Sequence, residues 1–181
     1  HPRSIEPAMQ KDIPIRVRNT FRPDYPGTIV LRDEHREKRV VKAIALIEKV
    51  ALVNVNGAQM IGRPGVAKTI FSALAEREVN VMMISQGSSE ANISLIVDES
   101  HLEAAIAALT PIAKQGVVRE VTYDRDVAAL AVVGAGMAGT PGTGGRIFSA
   151  LGRAQINTMM ISQGSSEVNV SFVVKGGDGK R

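Results

Sequence analysis

The chain has 181 residues, of which 44% are hydrophobic and 22% charged, so it can bury a core and form one large or two small domains. It has no cysteine, which excludes disulfides, thiol catalysis and zinc–thiolate sites. The formal net charge is +4, but aromatic residues that could stack on bases make up 3% of the chain, and no apolar run approaches the roughly 18 residues of a membrane span. We therefore expect a cytoplasmic protein with no nucleic-acid partner and no membrane partner.

The N-terminal part resembles a piece of another domain. Residues 1–31 carry five of the eight prolines and one short alternating run, 13–18, which is typical of a single edge strand. One strand cannot bury a core, so we interpret this part as the tail of an upstream domain. Residues 32–39 are a mixed charge run and predict a solvated linker. His35 lies in that run and is more simply explained as an exposed residue than as a ligand.

From Val40 onward, hydrophobic periodicity predicts a regular series of elements. Strands are expected at 40–46 and 50–55, and a helix should begin at Pro64-Gly65. Strands at 79–85 and 91–97 follow, joined by a turn. A second helix, capped by Ser100, should run to Lys114, before a strand at 117–123. The order of these elements, βαββαβ, is the ferredoxin-like pattern.

The stretch 82–90 recurs unchanged at 159–167, an offset of 77 residues. With that offset, 25 of 44 positions are identical between 54–97 and 131–174, which indicates a tandem duplication. The second copy should have strands at 127–133, 156–162 and 168–174 and a helix at 143–154, but it lacks the closing helix and strand. The unpaired strand 40–46 is the available donor of the missing strand, which would nest the first copy inside the second.

Two near-matches to phosphate-binding loops fail the test that the duplication provides. Residues 62–69 fit the P-loop pattern except for Ala67, and residues 134–139 fit the dinucleotide fingerprint. The Lys68-Thr69 pair is replaced by Gly-Arg in the second copy, and Gly136 by glutamine in the first. No acidic residue stands about 20 positions beyond Gly139 to hold a ribose. Nucleotide binding is therefore not favoured.

Both copies keep a glycine-rich loop that leads into Pro-Gly at a helix start, and a strand that ends in Ile-Ser-Gln. Backbone N–H groups at a helix N-terminus can bind a carboxylate, and an amide can both donate to and accept from a small polar ligand. These groups suit an amino-acid zwitterion. The alternative is purely structural, with glycines in tight turns and a glutamine at a hairpin. The paired methionines at 82–83 and 159–160 are interpreted as core filler, and we identify no catalytic residues and no metal ligands.

At these residues the chain resembles the tandem ACT domains of aspartokinases. The resemblance rests on residues 57–60, 64–65, 70–74, 79–81, 84–90 and 92–94 in the first copy and on 133–137 onward in the second. Residues 1–9, 13–20 and 26–28 are similar to the end of the family's kinase domain. It implies an α+β fold of two ferredoxin-like (βαββαβ) ACT units, the first (48–125) nested within the second (40–47 plus 126–181). It also implies that catalysis, with its ATP and Mg²⁺, belongs to a kinase domain upstream, so that this part alone is regulatory and needs no cofactor.

The resemblance further implies an amino-acid effector and self-association into a homodimer or a higher assembly. The effector contacts carried over are Met60, Gly62, Gly65, Val66, Ala67, Asn80, Val81, Ile84 and Gln86, and Met137, Gly139, Gly142, Thr143, Asn157, Thr158, Ile161 and Gln163. Lysine-sensitive relatives tend to carry an acidic residue two positions after Asn80, where this chain has Met82. A buried ammonium without a carboxylate is costly, so we expect threonine rather than lysine. A dimerisation module without a ligand remains the alternative.

Overall fold

The computed structural model describes residues 2–31, 40–164 and 168–181. The chain divides into two compact units, 1–38 and 39–181, which are described separately. The predicted linker at 32–39, with His35, lies outside the described residues, as does the end of the second repeated stretch at 165–167.

The first unit contains a helix and a two-stranded sheet. Helix α1 spans Pro2–Met9, and strands β1 (Ile15–Val17) and β2 (Thr28–Val30) pair antiparallel. The strand expected at 13–18 is therefore present, but it has a partner that the sequence did not reveal. Helix α1 was not predicted either. Proline at the first helical position costs little, because that N–H has no partner inside a helix, whereas Pro7 inside the helix obscures its pattern.

The described residues of the second unit, 40–164 and 168–181, form six strands and three helices. The strands are β3 (Ala43–Asn56), β4 (Val81–Gln86), β5 (Asn92–Asp98), β6 (Glu120–Val133), β7 (Met160–Gln163) and β8 (Asn169–Lys175). The helices are α2 (Val66–Glu76), α3 (Leu102–Lys114) and α4 (Thr143–Arg153). Helix α3 follows a 3₁₀ turn, Glu99–His101, whose N-terminus is capped by Asp98. Asp98 accepts from the Ser100 backbone N–H at 2.9 Å, so Asp98, not Ser100, is the capping residue.

Strands β3 and β6 are each 14 residues long, and each merges two strands that the sequence presents as separate. The polar interruptions at Glu48-Lys49 and Arg125-Asp126 do not end the strands. They fall instead where the β3–β6 register shifts, between Ile47 and Leu52, and Lys49 has a positive φ of 58°. A bulge absorbs the extra residues and lets one strand continue.

The six strands form one antiparallel sheet with the order β4-β5-β3-β6-β8-β7. The C-terminal half of β3 pairs with β5 and with the first residues of β6, whereas its N-terminal half pairs with the last residues of β6. The sheet curls, so that β4 and β7 at its two ends contact each other.

The pairing of β3 with β6 follows the 77-residue repeat. Ala43 pairs with Val133, and Glu120 pairs with Asn56. Glu120 lies 77 positions after Ala43, and Asn56 lies 77 positions before Val133, so the two pairs are equivalent in the repeat. Strand residues 43–47 therefore complete the second copy just as 120–124 complete the first. The first βαββαβ unit is nested within the second, in an α+β fold, while the exact boundaries proposed from the sequence stay a prediction.

Three buried clusters stabilise the second unit. The largest packs α2 and α3 on the sheet around Ile70, Leu95 and Leu109, which are fully buried. A second lies under α4 around Phe172. The third joins Met160 to Val50 and Ile96 and includes partly buried Met83 and Met159. Three of the four paired methionines thus fill the interior, whereas Met82 is 40% exposed.

Candidate functional site: two equivalent cavities at helix N-termini

Each copy builds the same loop between its first strand and its first helix. In the first copy a 3₁₀ turn, Ala58–Met60, leads to Gly62 (φ 63°) and Gly65 (φ 90°). In the second copy Ala135–Met137 leads to Gly139 (φ 65°) and Gly142 (φ 82°). A Cβ atom at any of these four glycines would meet no atom within 4 Å. Glycine is therefore required by the left-handed backbone and not by crowding.

The helices that follow begin without a side-chain cap. Gly65 precedes α2 and Gly142 precedes α4, and neither N-terminus receives a hydrogen bond from the side chain of its capping residue. The first-turn N–H groups of a helix have no partner within the helix. Together with the positive end of the helix dipole, they favour a bound carboxylate.

A cavity of about 320 Å³ lies at the start of α2. Its walls combine the glycine-rich loop, the first turn of the helix and the end of β4, with Ile93 of β5 alongside. The lining residues are Met60, Gly62, Arg63, Pro64, Gly65, Val66, Ala67, Gln86, Glu90 and Ile93.

A second cavity, of about 350 Å³, occupies the same place at the start of α4. It is lined by Met137, Gly139, Thr140, Pro141, Gly142, Thr143, Gly144, Gln163 and Val170. Every one of these residues lies 77 positions after a residue of the first cavity. The duplication therefore extends from the sequence to the shape of the two cavities.

These cavities bring together eleven of the effector contacts expected from the sequence. Six of them line the first cavity and five line the second. The other expected contacts do not line either cavity: Asn80, Val81 and Ile84 in the first copy, and Asn157, Thr158 and Ile161 in the second. Ile84 and Ile161 lie on the outer strands β4 and β7, and each is 46% exposed.

Glu90 lines the first cavity but was not among the expected contacts. Its Oε2 accepts a hydrogen bond of 2.8 Å from the Gly62 backbone N–H, and its backbone has a positive φ of 55°. The carboxylate thereby ties the turn after β4 to the glycine-rich loop. The signal was present in the sequence, because Glu90 is the last residue of the repeated stretch.

The two cavities differ in the side chains at their mouths. The first has Arg63 and Val66 where the second has Thr140 and Thr143. The Thr143 hydroxyl donates to the Thr140 carbonyl at 2.9 Å, and the Thr140 hydroxyl donates to the Gly136 carbonyl at 2.6 Å. At these two positions the second cavity therefore has two hydroxyl groups, whereas the first has an arginine and a valine.

The described ionisable groups whose pKa values are shifted lie away from both cavities. A hydrogen bond from Lys175 holds the pKa of Asp124 below its ordinary value, and the same bond raises the pKa of Lys175. Hydrogen bonds from Ser100 lower the pKa of Asp98. Among residues 2–31, 40–164 and 168–181, no group of His, Asp and Glu side chains could hold a metal ion. The same ranges contain no helix long and apolar enough to cross a membrane.

Comparison with known proteins identifies one family model in this chain. A model described as "ACT domain" matches residues 53–110 and 130–181, so it covers both copies. Among curated proteins, the chain is 42% identical over 184 residues to bifunctional aspartokinase/homoserine dehydrogenase 1, chloroplastic, of Arabidopsis thaliana. The match covers 97% of this chain and 20% of that protein. The chain thus spans about a fifth of the length of this relative.

Two solved structures have a similar fold. The Clostridium acetobutylicum aspartate kinase, described as an allosteric enzyme, superposes with a TM-score of 0.87 at 30% identity, covering 98% of this chain and 42% of that one. The ligand-free regulatory subunit of aspartate kinase from Thermus thermophilus gives a TM-score of 0.69 at 29% identity, covering 78% of this chain and 93% of that one.

Proposed function

The chain belongs to the ACT domain family and corresponds to the regulatory region of aspartokinases, and from this premise we propose that it binds a free amino acid and thereby regulates an aspartokinase. The observation that carries the proposal is the pair of equivalent cavities, each combining an uncapped helix N-terminus with a glutamine amide, Gln86 or Gln163.

The two ends of an amino acid fit different parts of each cavity. The ligand carboxylate would accept hydrogen bonds from the first-turn N–H groups of α2 or α4. The α-ammonium needs acceptors, which the oxygen of the glutamine amide supplies. In the first cavity the Glu90 carboxylate is a further acceptor, with one oxygen already bound to Gly62. Each volume, about 320 or 350 Å³, lies at the small end of the range for ligand pockets.

Threonine is the effector we propose. In the second cavity, Thr140 and Thr143 offer partners to a hydroxyl group. In the first cavity, the Glu90 carboxylate would pair with the side-chain ammonium of lysine, so lysine is the alternative effector there.

Regulation would follow from a difference in affinity. If the effector binds the inactive arrangement of the whole protein more tightly, it shifts the population toward that arrangement. A coupling free energy of about 1–3 kcal/mol corresponds to inhibition of about 5- to 150-fold. The reaction so inhibited would be the ATP- and Mg²⁺-dependent phosphorylation of L-aspartate by a kinase domain upstream. The cytoplasmic location and the homodimeric or higher assembly expected from the sequence stay predictions.

A second candidate function is dimerisation without a ligand. The observation that favours it is the exposure of Met82, Ile84 and Ile161 on the outer strands β4 and β7. Outer strands of a sheet with exposed apolar side chains are common sites of association between chains.

Calorimetric titration of the chain with L-threonine, and separately with L-lysine, tests the proposal. We expect saturable heat with threonine. Because each glutamine supplies a hydrogen bond to the ligand, Gln86→Ala and Gln163→Ala should each weaken binding at their own cavity by about tenfold or more.

The matched control is Gln115→Ala, which alters an exposed glutamine at the end of α3 that lines neither cavity. It should bind threonine as the parent chain does. Absence of heat with both amino acids, while the chain sediments as a dimer, would instead favour the dimerisation module. Saturable heat with lysine alone would reverse the choice of effector.

A further inference from the structure

A groove lies between α2 and α3 on the surface of the first copy. Its volume is about 690 Å³, larger than that of either cavity at a helix N-terminus. It is a site separate from those cavities, although residues 63–66 line both it and the first cavity. Its size suits a ligand larger than a free amino acid, since ligand pockets range from about 300 to 1,000 Å³.

Three basic side chains line the groove. Arg63 lies in the loop before α2, Lys68 in the first turn of α2, and Arg77 at the end of that helix. All three are exposed, and within the described part of the chain none of them takes part in an ion pair. Glu76 is the one carboxylate among the described lining residues. Three cations against one carboxylate leave a positive lining, which favours an anionic ligand.

This charge belongs to the first copy and not to the second. At the positions 77 residues later, the second copy has Thr140, Gly145 and Ala154 in place of the three cations. Both copies nevertheless build the same loop and the same helix start. The fold of the loop and helix therefore does not require the three cations, and a ligand peculiar to the first copy accounts for them.

The cations stand at two separate places along the groove. Lys68 and Arg77 are nine positions apart in the chain, which is about 13 Å along the axis of α2. Arg63 lies near the Lys68 end, because it precedes the helix. Arginine and lysine side chains are the usual partners of phosphate groups. An elongated ligand with its phosphates at one end can contact both places.

Small apolar side chains line the part of the groove contributed by the middle of the two helices. They are Ala73 of α2 and Ala107, Ala108 and Pro111 of α3. A planar ring can lie on such a surface, and the guanidinium group of Arg77 can stack on a ring of this kind. Glu76, next to Arg77, can accept hydrogen bonds from the hydroxyl groups of a sugar.

We propose that this groove binds a nucleoside polyphosphate, with its phosphates at Arg63 and Lys68 and its sugar and base at Glu76 and Arg77. The near-matches to phosphate-binding loops fail because a cradle of backbone N–H groups should recur in both copies. A groove formed by the side chains of one copy is not subject to that test.

Calorimetric titration of the chain with ATP, inorganic tripolyphosphate and adenosine, each without divalent metal, tests the proposal. We expect saturable heat with ATP, binding of tripolyphosphate that is at least tenfold weaker, and no saturable heat with adenosine. Lys68→Glu should weaken ATP binding at least tenfold, because it replaces attraction of the phosphates with repulsion. Arg77→Ala should weaken the binding of ATP and leave that of tripolyphosphate unchanged.

Arg153→Glu is the matched control, because it makes the same change of charge at an exposed position of the equivalent helix α4, outside this groove. It should bind ATP as the parent chain does. Equal urea midpoints of the parent and Lys68→Glu show that the variant is folded.

Absence of heat with ATP would overturn the proposal. So would ATP binding that Lys68→Glu leaves unchanged, because the nucleotide would then lie elsewhere. Equal affinity for ATP and tripolyphosphate would overturn the placement of the sugar and base, and so would ATP binding that Arg77→Ala leaves unchanged.

Discussion

At the residue scale, the glycines before α2 and α4 determine the shape of the cavities. Gly65 and Gly142 adopt φ values of 90° and 82°, and each has open space where a Cβ would stand. A side chain would fit sterically at either position, but it would strain the backbone. The left-handed turn brings the chain into the first helical turn, where the N–H groups receive no hydrogen bond from a capping side chain.

Gly65→Ala should therefore destabilise the chain by about 1–2 kcal/mol, because a residue with a Cβ disfavours the left-handed region. Urea unfolding at neutral pH measures the change. Gly144→Ala is the matched control, since Gly144 lies inside α4 with open space and no positive φ. There alanine should stabilise by about 0.5–1 kcal/mol. If Gly65→Ala and Gly144→Ala changed the free energy of unfolding in the same direction, the assignment of backbone strain to Gly65 would be wrong.

A second feature at this scale is the ion pair between Asp124 and Lys175. The Lys175 ammonium lies 2.7 Å from Asp124 Oδ2 and 3.9 Å from Asp126 Oδ2. The nearer contact lowers the pKa of Asp124 from its ordinary value of 3.8 and raises that of Lys175 from 10.5. The pair joins β6, close to its bulge, to the end of β8.

The sign of the pH dependence follows from these shifts. The lowered pKa of Asp124 means that its stabilisation is full above 3.8 and is lost as the pH falls through the lowered value. The raised pKa of Lys175 means that its stabilisation is full below 10.5 and is lost as the pH rises through the raised value. Asp124→Asn should thus lower the free energy of unfolding between these limits and have little effect outside them.

Urea unfolding at about pH 3, 7 and 11 measures whether the effect of Asp124→Asn is confined to this pH range. Asp126→Asn is the control, because Asp126 lies farther from Lys175 and should have a smaller effect at neutral pH. A difference between parent and Asp124→Asn that is constant over the whole range would show that the pair is not the cause.

At the scale of elements, α2 and α4 are equivalent helices with different intrinsic stability. Helix α4 has Gly144, Gly145 and Gly152 where α2 has alanine, lysine and alanine. Glycine inside a helix costs about 0.5–1 kcal/mol relative to alanine. Helix α4 also buries only Thr143, whereas α2 buries Val66, Ile70 and Leu74. Both factors make α4 the weaker helix.

Gly152→Ala should therefore raise the free energy of unfolding by about 0.5–1 kcal/mol, because the position is open and exposed. The reverse change at the equivalent position of α2, Ala75→Gly, should lower it by a similar amount. Circular dichroism during urea unfolding measures both. If Gly152→Ala lowered stability, the open space at Gly152 would be needed for a contact and the comparison of the two helices would be wrong.

At the scale of the whole molecule, the two copies share their central strands. Strands β3 and β6 each contribute residues to both copies, so neither copy forms a separate sheet. Residues 39–181 accordingly form one compact unit. We expect this unit to unfold in a single cooperative transition, in spite of the duplication in its sequence.

Leu95→Ala tests the sharing of strands. Leu95 is fully buried under α2 and α3, so its truncation should cost about 2–5 kcal/mol. Because β3 and β6 are shared, amide exchange should accelerate in β8 and α4 of the second copy as well as in the first. Phe172→Ala, at the equivalent position, should accelerate exchange in α2 and β5 in return. Exchange that rises in one copy alone would mean that the copies unfold independently.

Particular residues show how much of the candidate site could be predicted from the sequence. The repeated stretch and the glycine positions predicted a glycine-rich loop, a helix start and a glutamine in both copies. The effector contacts were implied by the family resemblance, and eleven of them line the two cavities. Glu90 was missed, although it belongs to the repeat, because its role depends on a contact with Gly62, 28 positions earlier. Asn80, Val81 and Ile84, with their equivalents Asn157, Thr158 and Ile161, were carried over by family resemblance and do not line the cavities of a single chain.

The sequence by itself determined the duplication, the βαββαβ order of the first copy, the βαββ order of the second and the nesting, because hydrophobic period, turn residues and repetition can all be recognised along the chain. The tertiary structure decided that β3 and β6 are continuous, since a bulge can absorb the charged interruptions only when both neighbouring strands are in place. It also decided which side chains share a cavity. That depends on distances between residues far apart in the chain, and those distances exist only once the sheet has formed.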